Sequence, residues 1–189
     1  MDLEAPFDRV LAAARAGEGW ALAELFRDLH PRIRRYLTSF APAVADDIAS
    51  GTWIDVVRSL DRFRGDASDL RALTFSFART RLSEVRDMTP LDEDLMASLE
   101  AAPRIDAPVP ASAADLDAVG RALDTDAALE RVMSLPVEHA EVILLRVLGG
   151  LSIDEVAATV GKPGRAVRSI ERDALHHLAI VATEERTTR

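Results

Sequence analysis

There is no cysteine among the 189 residues, which removes disulfide frameworks and thiolate metal sites. Lysine is almost as scarce: Lys162 is the only one, so arginine carries nearly all the positive charge. No stretch approaches the roughly 20 apolar residues needed to span a bilayer. Met1-Asp2-Leu3-Glu4 has neither the basic segment nor the apolar run of a signal peptide, and a soluble cytoplasmic protein without membrane insertion is expected. The histidines (His30, His139, His176 and His177) show no metal-ligand spacing, and the adjacent His176 and His177 diverge on a helix. A nucleophile–base pair and a glycine-rich phosphate loop are also missing, so no enzyme, cofactor or metal site is expected.

What is present suffices for a globular chain, since 48% of the residues are hydrophobic and 29% charged. The net charge of -9 argues at face value against a nucleic-acid partner. Its distribution changes that reading. Residues 1–90 hold 13 arginines against 14 carboxylates, residues 91–122 hold 2 against 7, and residues 123–189 hold 8 basic residues against 11. More than half of the deficit lies in the middle segment, so any basic surface is a local stripe.

Helical periodicity dominates and no stretch alternates like a strand. From Ala21 to Phe40, Leu22, Leu25, Phe26, Leu29, Ile33 and Leu37 follow helical spacing, with a kink or break expected near His30 because Pro31 falls inside. A second helix is expected from Val44 to Leu60, then a loop from Arg62 to Ser68 broken by Gly65, then a third helix from Leu70 to Arg86. From Thr89 to Leu116 the prolines Pro90, Pro103, Pro108 and Pro110 stand among Ala, Asp and Glu, the composition of an extended acidic linker, with room for a short helix over 91–99. Helices resume near Ala118. The expected fold is all-α: two small helical domains, 1–88 and 118–189, joined by a linker over 89–117.

The strongest local pattern lies in the second domain. Ser152-Ile153-Asp154-Glu155 fits a capping box, opening a short helix from Ile153 to Val160 that Gly161 closes. The next helix begins near Pro163. Val167, Ile170, Ala174 and Leu178 form its apolar stripe, and Arg165, Arg168 and Arg172 a basic one on another face. Two short helices joined by a glycine turn, the second basic opposite its core face, fit a major groove. Three arginines alone would equally suit a solvated surface helix. Glu171 and Asp173 are a complication, because carboxylates repel phosphates. Glu171 is expected at the surface.

These residues resemble region 4 of the extracytoplasmic-function (ECF) sigma factors of the sigma-70 family. The likeness is carried by Leu135-Pro136, Glu141 to Arg146 and Gly150 to Ala157, and continues through Val167, Ser169, Ala174, Leu175 and Leu178. Region 2 of the same family is recognisable in Ala45-Asp46-Asp47-Ile48, in Leu60-Asp61-Arg62-Phe63-Arg64-Gly65 and in Ala78-Arg79. Each motif is weakly specific alone; the ordered pair at this length is strong.

The resemblance implies a factor that binds core RNA polymerase and directs promoter-specific initiation. The helix with Asp46, Asp47, Ser50, Trp53, Ile54 and Val57 would dock on the clamp helices of the β′ subunit, and the β flap would be a further polymerase contact. Arg62, Arg64, Asp66, Ser68, Arg71, Phe75 and Arg79 would read the melted -10 element, where phosphates need cations and unstacked bases need pockets. Plain core packing competes for Phe75 and is the favoured role of Phe77. Arg165, Arg168, Ser169 and Arg172 would read the -35 element. The acidic linker would thread through the polymerase or act as a tether, and an anti-sigma factor would cover the apolar and acidic polymerase-binding face.

The sequence departs from the family pattern at Ser50-Gly51, at Leu73 where an aromatic is expected, at Lys162-Pro163-Gly164 and at Asp173. The departures at Gly51 and Asp173 and the acidic balance motivate an alternative: a diverged sigma-like regulator that acts by protein contacts without initiating transcription.

Overall fold

The computed structural model of the chain describes residues 4–88 and 126–187. The expected linker over 89–117, its short helix over 91–99 and the resumption of helix at Ala118 lie outside the described residues. Eight helices occur among the described residues: α1 Glu4–Arg15, α2 Gly19–Phe40, α3 Ala45–Ser59, α4 Ala67–Met88, α5 Asp126–Met133, α6 Val137–Val147, α7 Ile153–Val160 and α8 Gly164–Thr187. They fall into two compact units, α1 to α4 and α5 to α8.

In the first unit α2 is the central helix, with Ala21, Leu25, Leu29, Ile33, Tyr36 and Leu37 buried three or four residues apart. The break expected near His30 is not observed, and α2 runs unbroken through Pro31. A proline inside a helix costs about 3 kcal/mol. Leu25 and Leu29 before it, and Ile33, Tyr36 and Leu37 after it, are each held in the core. Each such burial is worth about 1.5–3 kcal/mol, so packing on both sides keeps the helix continuous. Helices α3 and α4 pack on one another and on α2. The buried aromatic pair is Tyr36 on α2 and Phe75 on α4, edge to face at 5.6 Å between centroids.

Helix α1 has no counterpart in the sequence analysis. It buries Phe7, Val10, Leu11, Ala13 and Ala14 together with Ala21, Leu25, Leu60 and Leu70 in one cluster. Three of its buried residues are short alanine or valine side chains, too faint a stripe to stand out before a partner surface is known.

In the second unit α6 is apolar almost all round, with Ala140, Val142, Ile143, Leu144 and Leu145 buried. Helices α5, α7 and α8 pack against it. Pro136 opens it, its carbonyl accepting from the amides of His139 and Ala140 at 2.8 and 3.0 Å.

Candidate nucleic-acid and polymerase interface

The turn between α7 and α8 is built by local hydrogen bonds. The Ser152 hydroxyl accepts from the Glu155 amide at 3.2 Å, and the Glu155 carboxylate accepts from the Ser152 amide at 2.6 Å. This reciprocal cap satisfies two of the donors that a helix start leaves open. At the other end Gly161 takes φ 71°, and the amides of Gly161 and Lys162 both donate to the Ala157 carbonyl. The Pro163 carbonyl then accepts from Ala166 at 2.8 Å and Val167 at 3.2 Å, starting α8. Lys162 also ties the turn back to α6 by an ion pair with Glu138 at 3.1 Å.

On α8, Val167, Ala174, Leu175 and Leu178 face the core, whereas Ile170 is only half-buried. Arg165 and Arg168 are exposed and Arg172 is half-buried. Arg168 stands 3.9 Å from Asp154 with both side chains largely in water, a pair too screened to hold the arginine away from a ligand. Arg172 donates to the Ser169 hydroxyl at 3.0 Å and to Asp173 at 3.4 Å, and Ser169 reaches the same carboxylate at 3.4 Å. Asp173 is thus partly offset by Arg172, and the two residues assigned to DNA beside it are held in one arrangement.

Glu171 is not the surface carboxylate that was expected. It is 9% exposed and accepts from Arg146 Nε on α6 at 2.7 Å. The same periodicity that puts Val167 and Ala174 in the core carries Glu171 with them, and a cation on a neighbouring helix makes that burial tolerable. One of the two carboxylates that complicated the DNA reading is therefore paired inside the fold.

In the first unit, Asp46, Asp47, Ser50, Ile54 and Val57 line one exposed face of α3. Ile54 is 50% exposed and Val57 47%, unusual for aliphatic side chains on a helix that buries its opposite face. Trp53 lies half-buried beside them. Its indole N–H donates to His30 Nδ1 at 3.3 Å, and its ring lies 5.0 Å from that of Phe26. Phe26 stacks on His30 at 4.2 Å and is itself exposed, so it leaves the α2 core stripe to which its spacing assigned it. Asp46 accepts from Arg34 at 2.7 Å, and that hydrogen bond holds its carboxyl below the usual range. The Ser50 hydroxyl bonds back to the Asp46 carbonyl at 2.8 Å.

Gly51 has a steric reason. A Cβ there would stand 2.6 Å from the Arg81 guanidinium, which crosses from α4 to pair with Asp55 at 2.6 Å. The departure from the family pattern at this position makes room for a cross-helix ion pair. No site role was assigned beforehand to Phe26, His30, Arg34 or Arg81, because their roles depend on which helices become neighbours.

The residues assigned to the -10 element separate into four groups. Arg62 and Arg64 are exposed on the loop after α3. Asp66 caps α4: it accepts from the Asp69 amide, and Asp69 accepts from the Asp66 amide, both at 2.9 Å. Ser68, Arg71 and Arg79 are half-buried along the start and middle of α4. Phe75 is a correction. It is fully buried against Tyr36 and presents no face for a base, whereas Phe77, expected in the core, is only half-buried. Spacing along α4 left the choice between these two rings open, and the position of α2 decides it.

Among the described residues no group of three or more His, Asp or Glu is placed to hold a metal, and no helix is long and apolar enough to cross a membrane.

The family described as Sigma-70, region 4 matches residues 132–179, which span the last part of α5 to most of α8. The ECF RNA polymerase sigma factor SigD of Mycobacterium tuberculosis (strain ATCC 25618 / H37Rv) is 29% identical over 178 residues, covering 90% of this chain and 81% of the relative. The ECF RNA polymerase sigma factor BldN of Streptomyces coelicolor is 27% identical over 175 residues, covering 88% of this chain and 62% of BldN. Among solved structures, CnrH in complex with the cytosolic domain of CnrY has the same fold, with TM-score 0.59 and 20% identity over 93% of this chain and 96% of that one. With a region 4 match over the helix-turn-helix and likeness to ECF RNA polymerase sigma factors along most of its length, the chain is similar to the ECF group of the sigma-70 family.

Proposed function

We propose that the chain binds core RNA polymerase in the cytoplasm and directs it to promoters, as a specificity subunit with no turnover of its own. The observation that carries this reading is the helix-turn-helix of α7 and α8, capped at Ser152, closed at Gly161 and presenting Arg165 and Arg168 outward within the region 4 match. In this reading α8 enters the major groove of the -35 element with Arg165, Arg168, Ser169 and Arg172. The loop with Arg62 and Arg64, together with Asp66, Ser68, Arg71 and Arg79, receives the melted -10 strand.

The exposed face of α3 supplies the polymerase contact. Asp46, Asp47 and Ser50 offer polar groups beside the apolar Trp53, Ile54 and Val57, a mixture suited to the β′ clamp helices. The second unit meets the β flap. An anti-sigma factor competes for the same surfaces. Support comes from CnrH, which has the same fold and was solved bound to the cytosolic domain of CnrY. The acidic segment 89–117 tethers the two readers, so that two weak contacts act as one.

The alternative, a regulator that no longer initiates, was motivated by the acidic balance and by Gly51 and Asp173. Both residues now have local partners, Arg81 for the first and Arg172 for the second. Run-off transcription with core polymerase on promoters selected from a random library tests the proposal. Stimulated, promoter-dependent transcripts are expected, and failure to stimulate any selected promoter favours the regulator.

A further inference from the structure

Arg15, at the end of α1, reaches across to the loop that follows α3. Its Nε donates to the Leu60 carbonyl at 3.2 Å, and its Nη2 donates to the Phe63 carbonyl. The Leu60 carbonyl, at the end of α3, also accepts from the Phe63 amide at 3.3 Å, so the guanidinium adds a long-range donor to a turn that is already bonded locally. The Phe63 carbonyl also accepts from Arg64 at 2.8 Å, and Arg64 donates to the Asp61 carbonyl at the same distance. The Phe63 side chain packs on the cluster of α1 and α2 core residues that includes Leu60 and Leu70. At the far end the loop is closed by the reciprocal bonds between Asp66 and Asp69.

The stretch Asp61–Asp66 is therefore neither helix nor strand, yet it is fastened at its start, its middle and its end. Arg62, Arg64 and Asp66 are exposed, Arg64 and Asp66 while also bonded within the loop. The middle fastening comes from a helix that contributes no residue to the DNA-reading set.

We propose that Arg15 is a positioning residue for promoter reading: it presets the Asp61–Asp66 loop in the form that receives the -10 strand. This rests on the role proposed above for that loop. A loop ordered only on binding loses conformational entropy with every base alike, and its looser form accommodates a wrong base nearly as well as the right one. A loop ordered beforehand discriminates.

The test uses the full chain assembled with core RNA polymerase on a promoter selected with the unaltered chain. Permanganate reactivity of melted thymines gives the ratio of open complex on that promoter to that on templates with single -10 substitutions. Arg15→Met keeps the apolar stem and removes the donors, and the ratio is expected to fall about tenfold. Arg15→Lys serves one carbonyl at a time and is expected to lose about threefold. An Arg15→Met protein that opens every template equally less, with the ratio unchanged, shows a purely structural role and overturns the proposal. If Arg15→Met fails to melt cooperatively, the ratio for Arg15→Lys decides in the same way. Arg62→Ala, run in parallel, tests the loop itself: an unchanged ratio there overturns the reading of the loop. A reduced ratio for Arg62→Ala beside an unchanged one for both Arg15 variants overturns Arg15 alone.

Discussion

Arg146 on α6 donates through Nε to Glu171 on α8 at 2.7 Å, and the two side chains are 22% and 12% exposed. The helix that would enter the groove is thereby fixed to the helix behind it by a nearly buried charge pair. Removing one member leaves the other charge in a poorly solvated site, at a cost of about 3 kcal/mol. Arg146→Met and Glu171→Leu should each destabilise the second unit by about that amount, while the double replacement melts close to the unaltered protein. Urea titrations of the three variants measure this; additive losses in the double variant would show that the pair is not coupled.

Arg168 is exposed and its ion pair with Asp154 is weak, so its charge is available to phosphate. Arg168→Ala should weaken binding to a -35 duplex and reduce the slope of log affinity against log salt by about one. A salt titration by fluorescence anisotropy reads both quantities. If neither changes, the recognition helix is not where it has been placed.

Ile54 and Val57 are about half exposed on the face assigned to the polymerase. Burying an aliphatic side chain in an interface is worth about 1.5–3 kcal/mol. Ile54→Asp and Val57→Asp should each weaken association with core polymerase tenfold or more, with thermal melting of the free protein unchanged. Competition against the unaltered chain for core polymerase gives the affinities, and equal competition would remove this face from the interface.

Gly51 sets two effects of similar size against each other. Alanine gains about 1 kcal/mol over glycine inside a helix, but its Cβ would push the Arg81 guanidinium off Asp55. That pair is about one-third exposed and is worth roughly 0.5–1 kcal/mol after screening. Gly51→Ala should therefore be nearly neutral in the unaltered chain and stabilising by about 1 kcal/mol in an Arg81→Ala background. Equal effects in both backgrounds would mean that the glycine does not answer to Arg81.

Burial holds His139 below its usual range, against smaller upward pulls from Asp173 and Glu138, and His177 pushes it down further. Among the described residues its buried Nδ1 has no hydrogen-bond partner. The unfolded chain takes up a proton near pH 6.5 while the folded one still resists it. Stability is therefore full above that value and declines as the pH falls through it toward the lower folded value. His139→Gln should flatten the loss expected in thermal melting as the pH falls through about 6.5. A slope identical to that of the unaltered protein would exclude His139 as its source.

Much of this was legible because it is written in local chemistry. Helices α3, α7 and the start of α8 lie within a residue or two of their expected limits, since Ser152, Glu155 and Gly161 act on their own neighbours. The basic face of Arg165 and Arg168 follows from helical spacing alone. Helix α1 was not legible, because its short alanines and valine gain meaning only against Ala21 and Leu25 of α2.

The sequence by itself determined that the chain is helical, that a glycine-turn pair of helices ends in an arginine-bearing face, and which family pattern those residues follow. These depend on contacts within about four positions along the chain, where residue type and spacing suffice. The tertiary structure alone decided which of two phenylalanines on α4 is core, that Glu171 is buried on Arg146, that Gly51 yields space to Arg81 and that Arg15 fastens the loop after α3. Each joins residues 25 to 48 positions apart or depends on a neighbouring helix, and spacing along one helix carries no record of what the next will press against it.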